Sequence, residues 1–193
     1  MPDYDAEADD YDASRGGAPR AEAAAAAVLG LLPAAAATLL DLGCGTGIAT
    51  ARIAAGRPGT RVLGADVSSG MAAMARSRGV PVVLGSGTRL PVRTGSLDAV
   101  SAIWLLHLLR RPGTVAALIA EVGRALRPGG VFLTTVDKDD AHDVGSDIDA
   151  LLAPHLTGAR ITPRELADRL GLLPGQDVPR GEPAYRLHGF VRG

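Results

Sequence analysis

The stretch LLDLGCGTGIATARIA, residues 39–54, constrains the fold of this chain more than any other. An apolar run ends in one carboxylate, Asp41, and glycines then recur at alternate positions, Gly43, Gly45 and Gly47. Glycine adopts positive φ without steric penalty and lets backbone N–H groups come close to a ligand. A strand that ends in such a loop and feeds a helix is a unit of the doubly wound α/β sheet. Ligands of such sheets bind outside the carboxyl ends of the strands, where the strand order reverses.

The rest of the chain repeats the alternation. Alanine-rich helix formers over 19–32 give a first helix up to Pro33, and 38–42 a strand. The glycine loop opens a helix over 47–55, and RPGT turns the chain into a strand over 61–65 that ends at Asp66. A helix over 69–77, a strand over 81–84, a strand over 99–103, a helix over 115–126 ending in RPGG, and the strand VFLTTV follow. Later, 162–170 reads as a helix capped by Thr162, and LLPGQDV and AYRLHGFV as two closing strands. Apolar strands alternating with helices predict a Rossmann-like, mostly parallel seven-stranded sheet covered on both faces. The length suits one domain over 1–193, with an acidic, mobile lid segment over 1–20, a cofactor-binding core over 38–136, and a substrate-side loop and closing strands over 137–193.

Spacing narrows the ligand. The dinucleotide fingerprint read from Gly43 puts Ile48 where close helix packing wants Gly or Ala, and no phosphate-loop lysine follows the glycines. A D-x-G-x-G-x-G loop without a phosphate clamp, with an acidic residue ending the next strand, suits a cofactor with ribose hydroxyls and a charged amino-acid tail. S-adenosylmethionine is such a cofactor.

Several segments in order, LLDLGCGTG, VLGADVSSGMAAMAR, GSGTRLPVRTGSLDAVSAIWLLHLL and LRPGGVFLTT, resemble the motifs of the class I S-adenosylmethionine-dependent methyltransferase family, particularly its small-molecule branch. The likeness spans roughly residues 11–136. It implies that Gly43, Gly45 and Gly47 line the methionine and ribose portion, with Cys44 and Thr46 contributing backbone. Asp41 then lies near the cofactor's amino group, Asp66 accepts the ribose hydroxyls, and Val67 and Met71 pack on the adenine. Ala102 and Ile103 offer backbone to the methionine part. Tyr11 and Arg15 close over the cofactor, Arg15 pairing with its carboxylate. Ser86 stands where many relatives carry an aspartate for the adenine amino group, so recognition there rests on Ser86, Gly87 and Thr88.

Plainer roles compete with several of these. Asp66 could cap the following helix. Cys44 is a nucleophile by type and a small apolar filler by size. His107 could take a proton from an acceptor, since its reference pKa is near 6.5, or simply pack beside Leu106 and Leu108. Trp104 could wall a substrate pocket or fill the core. Asp137, Asp139, Asp140, His142 and Asp143 form an acidic cluster in which Asp137 is a candidate base. The cluster could also bind a cation or stay solvated, and the calcium-loop pattern fails because His142 stands where it needs glycine. No metal site is expected.

Composition closes off other classes. A net charge of -1 and a pI near 6.4 lack the basic excess of a nucleic-acid binder, and AIWL replaces the N-P-P-Y-type motif of enzymes that methylate base amino groups. The apolar runs are too short to cross a bilayer, and the acidic start is unlike a signal peptide. The single cysteine excludes an internal disulfide, so a cytoplasmic protein is expected. The resulting expectation is methyl transfer to a small-molecule acceptor by a monomer or homodimer, O-methylation being slightly preferred to N- or C-methylation. The rivals are a cofactor-binding protein of the same fold without methyl transfer, and a nicotinamide-dependent oxidoreductase.

Overall fold

A strand placed at the middle of a sheet must be apolar on both faces, and residues 38–42 meet that demand. In the computed structural model, which describes residues 3–109, 113–135 and 187–193 without the side chains of His107 and His188, they form a central strand. The N-terminal region folds as two short helices, α1 (Tyr4–Glu7) and α2 (Tyr11–Ser14), followed by α3 (Gly17–Leu31). Then come β1 (Thr38–Leu42), α4 (Ile48–Gly56), β2 (Arg61–Asp66), α5 (Ser69–Ser77) and β3 (Val82–Leu84). The second half contains β4 (Leu97–Ala102), a 3-10 turn (Leu106–Leu108), α6 (Thr114–Ala125), β5 (Leu126–Thr135) and β6 (Leu187–Val191).

The sheet order is β3-β2-β1-β4-β5-β6, with β6 antiparallel to β5 and every other pair parallel. The chain therefore starts at the centre, builds outward to β3, and crosses back to β4. That reversal opens a crevice at the carboxyl ends of β1 and β4. Among the described residues the sheet has six strands, and the expected strand in LLPGQDV lies outside them.

Alternation along the strands divides the core. Leu40, Leu42, Val100 and Phe132 pack with Leu118, Ile119 and Val122 of α6. Leu39, Val62, Val131 and Leu133 pack with Ala25 and Val28 of α3 and Ile53 of α4. Helices thus cover both faces, as period-2 strands buried on both sides require.

The expected turn at RPGG is instead part of β5. Leu126 already pairs with Leu97, and the register skips before Ala99 pairs with Val131, so the chain bulges through Gly129 at φ 75° and resumes the strand. Asp98 holds this corner: its carboxylate accepts from the backbone N–H groups of Ala37 and Thr38 and pairs with Arg127. Burial opposes ionisation there, but the Arg127 and Thr38 hydrogen bonds outweigh it and hold the Asp98 carboxyl below its ordinary range.

Candidate cofactor site

Between β1 and α4 the chain must turn sharply beneath whatever binds at the sheet edge, and the glycines make that turn. Gly43, Gly45 and Gly47 have φ of 66°, 53° and 76°, the left-handed region that side chains resist. Their surroundings differ. A Cβ on Gly47 would lie 2.6 Å from the Ala75 Cβ, so this glycine lets α5 pack against the loop. A Cβ on Gly45 would meet nothing within 4 Å, and Gly45 borders the cavity above the loop.

That cavity has a volume of about 450 Å³, within the range of small-ligand sites. Of the expected cofactor residues, Asp41, Gly43, Cys44, Gly45 and Thr46 line it from β1 and its loop, and Asp66, Val67 and Met71 from β2 and α5. Ser86, Gly87 and Thr88 line it after β3, Ile103 after β4, and Tyr11 and Arg15 from the N-terminal region. Gly47 and Ala102 do not. Gly47 is occupied by its contact with α5, and the Ala102 carbonyl accepts from Thr134 Oγ1 inside the sheet. The backbone of His107 lies in the 3-10 turn after β4, its side chain is outside the described residues, and so is the whole of Asp137.

Asp41 is buried. Its Oδ2 accepts from Thr50 Oγ1 of α4 at 2.5 Å, and its Oδ1 from Ser101 Oγ at 2.7 Å. The sheet register places Ser101 directly across from Asp41, so β4 supplies the hydroxyl. Burial raises the Asp41 pKa; the two hydroxyls work against it, and Asp66 adds repulsion. No cation among the described residues pairs with this carboxylate. A positively charged ligand group in the cavity would supply the missing charge.

Asp66 ends β2, half-buried, and receives the backbone N–H groups of Gly45 at 2.8 Å and Ser68 at 2.9 Å, one on each oxygen. Each oxygen keeps a lone pair for a further donor. The cap of α5 is Ser68, whose hydroxyl accepts the Met71 N–H. Asp66 is therefore not needed for capping.

The remaining assignments separate by surroundings. Cys44 is buried beside Gly64, where a side chain would collide with its Sγ, and burial pushes its thiol far up, so it is a filler rather than a nucleophile. Ser86 spends its hydroxyl on the Thr88 N–H and hydroxyl, which shapes its own loop. Arg15 pairs with Glu7 at 3.7 Å and lies over the Tyr11 ring at 5.7 Å. Trp104 lines the cavity in a left-handed conformation, φ 53°, with its backbone N–H donated to Thr135 Oγ1.

Sequence reasoning missed the far wall. Leu105, Leu108 and Leu109 line the cavity, with Leu118 of α6 and Ala21 and Ala24 of α3. The run WLLHLL immediately after an edge-of-crevice strand was the available signal, since a solvated loop would not be so apolar. Two acidic residues at the N-terminus also went unread. Asp5 accepts from Ser68 Oγ and the Gly70 N–H, and Asp12 accepts from Thr46 Oγ1 while pairing with Arg78. Together they fold the N-terminal helices over the cavity.

The loop, the acidic residue ending β2 and the crevice at the strand reversal define a nucleotide-type cofactor site on a Rossmann-like sheet. Residues 40–134 match the model of the methyltransferase domain family, and this segment is a class I S-adenosylmethionine-dependent methyltransferase domain. The chain is similar to the demethylmenaquinone methyltransferases of Corynebacterium kroppenstedtii and Mycolicibacterium gilvum, 38% and 40% identical over 92 residues. That region is 48% of this chain and spans 38% of the length of each relative. The fold is similar to that in the complex of the Haloferax volcanii Trm112 methyltransferase activator with a methyltransferase. There the TM-score is 0.71 at 20% identity, over 100% of this chain and 98% of that one. It also resembles a TehB-like SAM-dependent methyltransferase of Corynebacterium glutamicum, with TM-score 0.64 at 18% identity over 88% of each chain. Among the described residues no helix is long and apolar enough to cross a membrane, and no group of three metal-ligand side chains occurs.

Proposed function

We propose that this protein transfers the methyl group of S-adenosylmethionine to a small, largely apolar acceptor. The observation that carries the reading is the placing of Asp41, buried with no paired cation among the described residues, beside Asp66 at the next strand end, both on one cavity floored by a glycine turn. Asp41 would face the cofactor's ammonium and Asp66 its ribose hydroxyls. Val67 and Met71 would flank the adenine beside the 86–88 loop.

The cofactor supplies an electrophilic methyl on a sulfonium. The chain's own residues have to hold acceptor and donor in line and keep water out, and such positioning can contribute up to about 7–11 kcal/mol. Leucines 105, 108 and 109 supply an apolar wall for the acceptor, and the names of the matched relatives fit an acceptor of quinone-like character. O-methylation is slightly preferred, in specialised metabolism, with His107 and Asp137 as candidate bases. The working form is a cytoplasmic monomer or homodimer that does not act on nucleic acid, with residues 1–20 as its lid.

The test is calorimetric titration with S-adenosylmethionine and S-adenosylhomocysteine, beside Asp66→Ala. Saturable micromolar binding that the substitution weakens supports the reading. Absence of binding by folded protein overturns it. Methyl transfer to any acceptor, followed by mass spectrometry, separates an enzyme from a binding protein of the same fold.

A further inference from the structure

One charged side chain in the cavity has no role in the site described above. Arg20, in the first turns of α3, lies over the indole of Trp104, with its guanidinium carbon 3.7 Å from the ring centroid. Both residues line the cavity. One terminal nitrogen, Nη1, donates to the Arg15 carbonyl at 3.0 Å, which fixes the plane of the group. The Nε is closed off from solvent and has no hydrogen-bond partner among the described residues. No carboxylate among them pairs with Arg20, whereas Arg15 and Arg78, which flank the same N-terminal helices, pair with Glu7 and Asp12.

A guanidinium stacked on an aromatic face keeps its donors in its own plane, where an oxyanion can meet them. Trp104 is held in this place against its own backbone preference, since a bulky residue resists positive φ. The cofactor, with sulfonium, ammonium and carboxylate, carries a net positive charge, and on the methyltransferase reading Arg15, now beside Glu7, would turn to its single carboxylate. A second unpaired cation would repel that cofactor unless an anion came with it.

We propose that Arg20 on the Trp104 face is an oxyanion subsite for the methyl acceptor, which is an apolar molecule bearing a carboxylate or an ionised hydroxyl. The proposal rests on the methyltransferase reading and names its substrate class. The leucine wall takes the apolar body, and Arg20 takes the charge.

The test compares matched probes, 2-naphthoate against 2-naphthamide and decanoate against decanamide. Calorimetry follows them with and without S-adenosylhomocysteine. Trp104, the chain's single tryptophan, reports the aliphatic pair by its emission. At least one carboxylate should bind about tenfold more tightly than its amide. Arg20→Gln should erase that difference while S-adenosylhomocysteine affinity stays the same, and Arg20→Lys, which keeps the charge, should retain part of it. Equal binding of acid and amide in both pairs overturns the proposal. So does an Arg20→Gln variant that weakens S-adenosylhomocysteine but not 5′-methylthioadenosine, because Arg20 would then serve the cofactor's own carboxylate. Failure of the wild type to bind S-adenosylhomocysteine counts against the cofactor reading, and the comparison without cofactor still decides the Arg20 subsite.

Discussion

The carboxylate of Asp66 accepts the backbone N–H of Gly45 at 2.8 Å, tying the end of β2 to the loop that follows β1. One residue thus shapes the glycine turn and leaves lone pairs for a ribose. Asp66→Ala should lower S-adenosylhomocysteine affinity by about 10-fold to 100-fold, the loss of one or two charge-assisted hydrogen bonds. Asp66→Glu should recover little, since the longer arm misplaces both oxygens. Calorimetry checks both.

Gly45 and Gly47 should respond differently to the same substitution. Gly47→Ala places a methyl 2.6 Å from Ala75 and should destabilise the protein by about 2–4 kcal/mol, read as a lower midpoint in urea. Gly45→Ala meets no protein atom and should cost only about 1–2 kcal/mol of backbone strain. Its methyl would instead enter the cavity, so cofactor affinity should fall further than stability does.

Asp41 predicts a pH dependence. Its folded pKa lies above the ordinary 3.8, so between those values the folded state holds the proton more firmly than the unfolded state. The associated stability is present below about pH 4 and is lost as pH rises through the raised pKa. Asp41→Asn should flatten this part of the cofactor-free stability curve. A cationic ligand group favours the ionised form, so wild-type affinity for S-adenosylhomocysteine should rise over the same window, and the variant should bind more weakly without that rise.

Asp5 should behave as a latch for the N-terminal helices. Asp5→Ala removes the acceptor for Ser68 Oγ, Ser69 Oγ and the Gly70 N–H, and hydrogen exchange over residues 3–16 should speed up with the sheet unaffected. The Ser68 hydrogen bond, with those from Gly70 and Ser69, holds the Asp5 carboxyl below its ordinary range. The latch should therefore persist above about pH 4 and weaken as pH falls through the lowered value.

Elements whose cause is local were legible in the sequence. Residues 38–42 and 69–77 have the observed bounds, because an apolar run before glycines and a serine-capped amphipathic segment each carry their own signal. The extension of β5 back to Leu126 was not legible, since RPGG reads as a turn until Leu97 is known to pair across it. In the site, Asp41 and Asp66 stood out as carboxylates beside glycines. Thr50, Ser101 and Asp5 did not, because each matters through a partner distant in sequence, 63 residues away for Asp5 and Ser68. Arg20 was one basic residue in an alanine-rich helix until the fold set Trp104 beneath it.

The antiparallel pairing of β5 with β6 bears on how the molecule is made. Residues 136–186 separate two strands that lie side by side, and Phe190 meets Phe132 across them at 6.4 Å. As the chain emerges from a ribosome, β1 to β5 and the glycine turn are available well before residues 187–191, so one flank of the sheet waits uncovered. The cofactor crevice belongs to the part completed early. Docking of β6 is then a late clasp, and the nascent chain is most exposed to unwanted strand pairing in the interval before it closes.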